Sequence, residues 1–158
     1  MRKSSIKPRQ IPADALYNNL TVAKLINKCM YDGKKDAARR QVYAFLDMLK
    51  AETKQDPVVY LEQALDNIRP KVEVRPRRIG GSVYQVPTPV RAHRQMSLSL
   101  RWLVDAARAL PNKQYHSFQE KLFAEIKSAF ANQGSAVTKR TEVERMAEAN
   151  KAFAHLHW

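Results

Sequence analysis

Apolar residues recur along most of the chain at spacings of three and four, the period of a helix buried on one side. The first such segment runs from about Asn19 to Tyr31, with Leu20, Ala23, Ile26 and Met30 in phase and Gly33 as its stop. A second runs from about Lys35 to Ala51 on an apolar stripe of Ala38, Val42, Phe45, Leu46 and Leu49. A third opens at Asp56-Pro57. There Asp offers an acceptor to free backbone N–H groups, and Pro at the first helical position loses nothing by lacking its own. Val58, Leu61, Ala64, Leu65 and Ile68 make its buried face, and Pro70 ends it.

The period then changes to two. From Val72 to Pro87 the chain alternates on both sides of Gly80-Gly81, with Val72 and Val74 on one face and Glu73, Arg75 and Arg77 on the other. Tyr84 and Val86 share a face of the return strand. The Gly-Gly pair supplies the positive φ values of a tight hairpin. Pro76 and Pro87 lack the ladder donor and exclude a central strand. The segment at about 72–88 is therefore a ribbon of its own, which must lean on the helices or on a partner. Helical spacing resumes from about Arg91 to Leu110. Met96, Leu100, Leu103, Val104 and Ala107 point inward, Arg91, Arg94, Arg101 and Arg108 take other faces, and Pro111 breaks the run. A fifth helix from about Ser117 to Phe130 carries Phe118, Leu122, Ile126 and Phe130 four apart. Past Gly134, a last helix of about Thr138 to Asn150 is rich in paired charges, and the aromatic tail Ala152–Trp158 is suited to pack or stack. The expected fold is mainly α, with about six packed helices and a protruding two-stranded β-ribbon between the third and fourth. Residues 1–17 read as a flexible basic arm and 18–158 as a single helical domain.

Charge changes this picture from a fold to a partner. The 158 residues hold 28 Lys+Arg against 15 Asp+Glu, a net charge of +13. The excess is uneven: net +7 over residues 1–50, −2 over 51–70, +6 over 71–101 and +2 over 102–158. Such concentration suits a phosphate backbone, because each neutralised phosphate releases counterions. The arm contributes Arg2, Lys3, Lys7 and Arg9. Lys34, Lys35, Arg39 and Arg40 crowd the start of the second helix, where the macrodipole disfavours cations and an external phosphate would tolerate them. Arg75, Arg77 and Arg78 lie on the ribbon with Tyr84 across from them, and a guanidinium fork suits phosphate oxygens.

Other chemistry finds little support. The histidines His93, His116, His155 and His157 have no Cys or acidic ligand close in sequence, so no metal is expected. Glu142, Glu144 and Glu148 are interleaved with Lys139, Arg140, Arg145 and Lys151, as on a solvated helix. The single cysteine, Cys29, sits in the apolar part of the first helix and reads as a buried thiol, with no internal disulfide available. Gly80-Gly81 reads as a turn and lacks the strand-to-helix setting of a phosphate loop. No apolar run is long enough for a membrane span, and the basic N-terminus lacks the apolar stretch of a signal peptide. The expectation is a non-enzyme with no cofactor and no small-molecule substrate. Residue types alone leave RNA and DNA both open. A basic helical body with a ribbon arm also describes an architectural DNA-binding protein.

Longer strings are more specific. Arg77-Arg78-Ile79-Gly80-Gly81-Ser82-Val83-Tyr84-Gln85-Val86-Pro87 resembles the hairpin of the universal small-subunit ribosomal protein seven family. Leu98-Ser99-Leu100-Arg101-Trp102-Leu103-Val104-Asp105-Ala106-Ala107-Arg108 resembles its fourth helix. The ending from Arg145-Met146-Ala147 to His155-Leu156-His157-Trp158 is similar to its bacterial-type C-terminus. Ile26-Asn27-Lys28, Met30, Gly33-Lys34-Lys35 and Asp56-Pro57 fit the same family in order. Departures fall at His93-Arg94, at Glu144 and across residues 110–133.

The resemblance implies binding to the 3′ major, or head, domain of small-subunit rRNA and early organisation of that domain. It also implies a place near the exit-site tRNA and the mRNA path, beside protein eleven and other small-subunit proteins, in a cytoplasmic bacterial ribosome or an organelle copy. By the same resemblance, Arg77, Arg78, Gly80, Gly81, Tyr84 and Gln85 take the hairpin's RNA and exit-site role. Lys34, Lys35, Arg94, Arg101, Lys139 and Arg140 match basic positions of the family. Trp102 is expected to pack rather than to stack on a base.

Overall fold

The chain is described from a computed structural model over residues 10–156. Helices α1 (Leu20–Cys29), α2 (Lys35–Thr53) and α3 (Pro57–Ile68) are followed by strands β1 (Val72–Ile79) and β2 (Ser82–Pro89). Helices α4 (Ala92–Ala109), α5 (Phe118–Phe130) and α6 (Ser135–Ala149) come next, and the described chain closes in a 3-10 helix, Lys151–Leu156. This is the expected architecture: mostly helical, with a two-stranded antiparallel ribbon between α3 and α4.

Local chemistry sets the helix starts. Asn19 Oδ1 accepts from the backbone N–H of Thr21 at 2.6 Å and of Val22 at 3.3 Å, opening α1. Asp56 accepts from Val58 N–H at 2.9 Å ahead of Pro57, as the sequence predicts. Ser117 and Glu120 form a reciprocal capping box at α5. α6 begins at Ser135, earlier than its apolar pattern indicates, because its cap is tertiary. The buried Glu125 of α5 accepts from Ala136 N–H at 2.9 Å. α1 ends at Cys29, earlier than expected, where Met30 turns to extended backbone.

The core lies among α1 to α5, with Ala136 and Val137 of α6 added at one side. Phe45, Leu46, Leu61, Leu65, Leu103, Leu122 and Ile126 are fully enclosed, the predicted stripes of their helices. α5 packs on α2, α3 and α4, while α1 packs on α2 and α4. Trp102 lies half-buried against the core, consistent with packing. Phe130 departs from its expected inward place: it is 41% exposed and stacks on Tyr60 with ring centroids 4.2 Å apart. Lys121 is buried, and its ammonium donates to Leu110 O and Asn112 Oδ1, both at 2.6 Å, tying α5 to the end of α4. Ahead of α1, the buried Asp14 accepts from Leu16 N–H, Tyr17 N–H and the Tyr43 hydroxyl, holding this segment to α2.

The ribbon pairs Val72 with Pro89 at its root and Ile79 with Ser82 at its tip. Gly80 and Gly81 have φ of 56° and 91°, the two positive values the tight turn requires. Pro76 stands opposite Gln85, and Pro87 opposite Val74. The ribbon leans on α6 and on the 3-10 helix, and Tyr84 meets Phe153 with centroids 5.3 Å apart. The alternation is as predicted, but at the root the most deeply covered positions belong to the face bearing the charge. Glu73, Val86 and Thr88 are buried, whereas Val72 and Val74 are only half-buried.

Candidate nucleic-acid interface

The predicted site residues fall into three basic clusters, and tertiary structure decides how available each is. The first surrounds the α1–α2 turn. Asp32 and Gly33 take positive φ, and Lys34 N–H donates to Tyr31 O at 2.9 Å, closing the turn. Lys34 is the N-cap residue of α2 and makes no side-chain cap, so its ammonium and that of Lys35 project into solvent. Arg40 is exposed, while Arg39 pairs with Asp36 at 2.9 Å. Asp36 sits in the first turn of α2, where a carboxylate offsets the unfavourable cations. Tertiary structure adds Arg108 from α4 to this cluster. Its Nη2 donates to Cys29 O at 3.2 Å, and its guanidinium stands 5.2 Å from the centre of the Tyr31 ring.

The second cluster is the ribbon with the start of α4. Arg75 and Arg94, far apart in sequence, converge on the buried Glu73 carboxylate at 2.6 and 2.7 Å. Burial alone would raise Glu73, but the hydrogen bonds and charges of Arg94 and Arg75 hold it below the usual carboxylate range. Both arginine side chains remain 51% exposed, so each is oriented by Glu73 while still facing solvent. Arg77 lies across from Tyr84 and is half-buried, and Arg78 is exposed next to the turn. Gly80, Gly81 and Gln85 are exposed at and near the tip. Arg101 is exposed on α4, seven residues beyond Arg94.

The third cluster lies between the ribbon root and α6. Lys139 is exposed and paired with Glu142 at 3.1 Å. Arg140 turns inward instead: Nη1 donates to Asn67 O at 2.6 Å, and Nε lies 3.7 Å from Glu144. Arg140 thus joins α6 to the end of α3, and its side chain is 25% exposed. Arg69, Lys71 and Lys151 share its groove with Asp66 and Glu144, a mixed rather than a purely basic lining. Arg2, Lys3, Lys7 and Arg9, together with His157, lie outside the described residues.

Sequence reasoning did not select Tyr31 or Arg108 as site residues. The signal was an exposed aromatic beside Asp32-Gly33, but its partner is distant in the chain. Cys29 is buried as predicted, and desolvation pushes its thiol up to about 12, against a smaller opposing pull from Arg108. It is therefore no nucleophile at neutral pH. No group of metal-ligating side chains occurs among the described residues, and none of their helices is long and apolar enough to cross a membrane.

A compact helical body bearing separate exposed basic surfaces, one of them on a ribbon, defines a polyanion-binding scaffold. Comparison with known proteins narrows that class. Residues 1–151 match the family described as Ribosomal protein S7p/S5e. Curated proteins named small ribosomal subunit protein uS7 match over the full length. That of Thermosipho africanus is 50% identical over 158 residues, covering 100% of both chains. Those of Dictyoglomus turgidum and Caldicellulosiruptor bescii are each 51% identical over 157 residues, covering 99% of both chains. The chain belongs to the ribosomal protein S7p/S5e family. These relatives are bacterial proteins named for the small ribosomal subunit, and the chain is a ribosomal protein of their family, not an enzyme.

Proposed function

We propose that this chain binds the 3′ major domain of small-subunit rRNA and organises the subunit head. The carrying observation is the exposed cationic surface of the α1–α2 turn, with Lys34, Lys35 and Arg40 projecting from one rigid corner, in a member of a small-subunit family. Arg75 and Arg94, fixed on Glu73, and the exposed Arg78 and Arg101 extend that surface along the ribbon and α4. Phosphate contacts from these groups position the protein, and RNA shape supplies the specificity. The ribbon tip, with Arg77, Arg78, Gly80, Gly81 and Gln85, reaches toward the exit-site tRNA and the mRNA path, beside protein eleven. Its backing supports that role, because the Tyr84–Phe153 contact and α6 brace an arm that would be marginal alone. Lys139 contributes a peripheral phosphate contact. Arg140 contributes chiefly by holding α6 in place.

The test is chemical footprinting of the purified protein on full-length small-subunit rRNA, with a basic protein of matched Lys/Arg content as control. Discrete protection confined to the 3′ major domain is the expected result. Protection as diffuse as the control's would overturn the assignment. Equal affinity for duplex DNA at physiological salt would instead favour an architectural DNA-binding protein.

A further inference from the structure

Beside Tyr31 lies an open groove of about 560 Å³, bounded by the end of α1, the first turns of α2, the last turn of α4 and the start of α5. We propose that this groove holds one unstacked nucleotide of the bound RNA, its base resting against the Tyr31 ring. The proposal rests on the RNA-binding reading above and adds a specific site to it.

Three features of the groove match three features of a nucleotide. The first is the π face. Tyr31 is 68% exposed although it is large and apolar, and the Arg108 guanidinium lies over one face of its ring, 5.2 Å from the centroid, so a base would take the opposite face. Arg108 is itself held by the Cys29 carbonyl, so the ring's orientation is set before any ligand arrives. An exposed, pre-oriented aromatic beside a guanidinium is a stacking platform for a base. The second feature is the base edge. Gln41 lines the groove, and its buried Oε1 has no hydrogen-bond partner among the described residues. A buried acceptor without a donor is costly, and rotation of the Gln41 amide toward the groove would let it accept from an amino or imino N–H on a base edge. The third is the phosphate. Lys34 and Arg40 stand at the same groove, and both are exposed.

Other ligand classes fit less well. Among the described residues no acidic side chain lines the groove, so they offer a divalent cation no carboxylate ligand there. An acidic peptide would answer the cations, but its carboxylates offer no π face to the exposed Tyr31 ring. Cys29 and Phe118 make part of the floor apolar, which suits a flat heteroaromatic ring.

The experiment compares the wild-type chain with Tyr31→Phe, Tyr31→Ala and Gln41→Leu on the rRNA 3′ major domain. Each complex is probed with hydroxyl radicals, which report the backbone, and with dimethyl sulfate and carbodiimide, which report base edges. Circular dichroism confirms that each variant folds, which an exposed Tyr31 makes straightforward. Wild type and Tyr31→Phe should protect the same one or two unpaired bases. Tyr31→Ala should release those bases, keep the backbone footprint elsewhere and bind about tenfold more weakly, as loss of one base–aromatic stack predicts. Gln41→Leu should weaken protection of the same bases. Unchanged base reactivity and affinity in Tyr31→Ala, with the wild-type footprint intact, would overturn the nucleotide site alone. Absence of any discrete wild-type footprint would overturn the rRNA reading and the site with it.

Discussion

Glu73 shows what one residue decides. It reads in the sequence as a lone acid in a basic strand, and in the fold it is the anchor on which Arg75 and Arg94 meet. Its folded pKa lies below the unperturbed 4.5. The stabilisation from ionised Glu73 is therefore fully present above about pH 4.5 and is lost as pH falls through the lower folded value. Glu73→Gln should cost about 1–2 kcal/mol at neutral pH, the scale of lost charge-assisted hydrogen bonds, and should flatten the acid limb of a stability–pH curve. Denaturant titrations between pH 7 and pH 3 measure both effects, and an unchanged acid limb would mean Glu73 is not the responsible group. Gly134 is a second decisive residue. Its φ is 95°, and a Cβ there would lie 2.9 Å from Glu125 Oε1, the atom that caps α6. Gly134→Ala should destabilise by about 2–3 kcal/mol, combining backbone strain with disruption of a buried acceptor. Gly33 has φ of 74° but open space around its Cβ position, so Gly33→Ala should cost only about 1 kcal/mol. Chemical denaturation of the two variants side by side separates strain from collision.

At the scale of elements, the ribbon is the informative case. Its turn and period were legible because alternation and a Gly-Gly pair are local signals. What covers it was not legible, since α6 and the 3-10 helix come more than forty residues later. The aromatic tail indicated packing or stacking without naming a partner, and the fold supplies Tyr84 for Phe153. Phe153→Ala should remove about 1 kcal/mol of aromatic contact and speed amide exchange in β2, leaving exchange in α5 unchanged. Equal acceleration in both elements would show that the 3-10 helix supports the whole body and not the arm. α6 illustrates the same division. Its paired charges were visible as neighbours on a helix, but its starting point depends on a carboxylate from α5. For the same reason Arg140 reads as a surface cation in sequence and is a joint between α3 and α6 in the fold.

For the whole molecule, net charge and its placement govern binding. RNA affinity should fall steeply with salt, and Lys35→Ala should lower the slope of log affinity against log salt by under about one unit. Arg140→Ala should instead lower thermal stability more than the salt slope, because its guanidinium is engaged internally. Affinity measured across a salt series, together with melting of each variant, distinguishes the two, and a larger slope change for Arg140→Ala would reverse their roles. The sequence by itself determined the helical class, the ribbon, the stripes that became the core and the family, because periodicity, caps and contiguous strings are properties of neighbouring residues. Only the tertiary structure decided which cations remain available, why Glu73 is buried, and that Arg108 meets Tyr31 beside Lys34 and Arg40. Those outcomes depend on groups far apart in the chain, whose encounter is fixed by how helices pack and by nothing local to either residue.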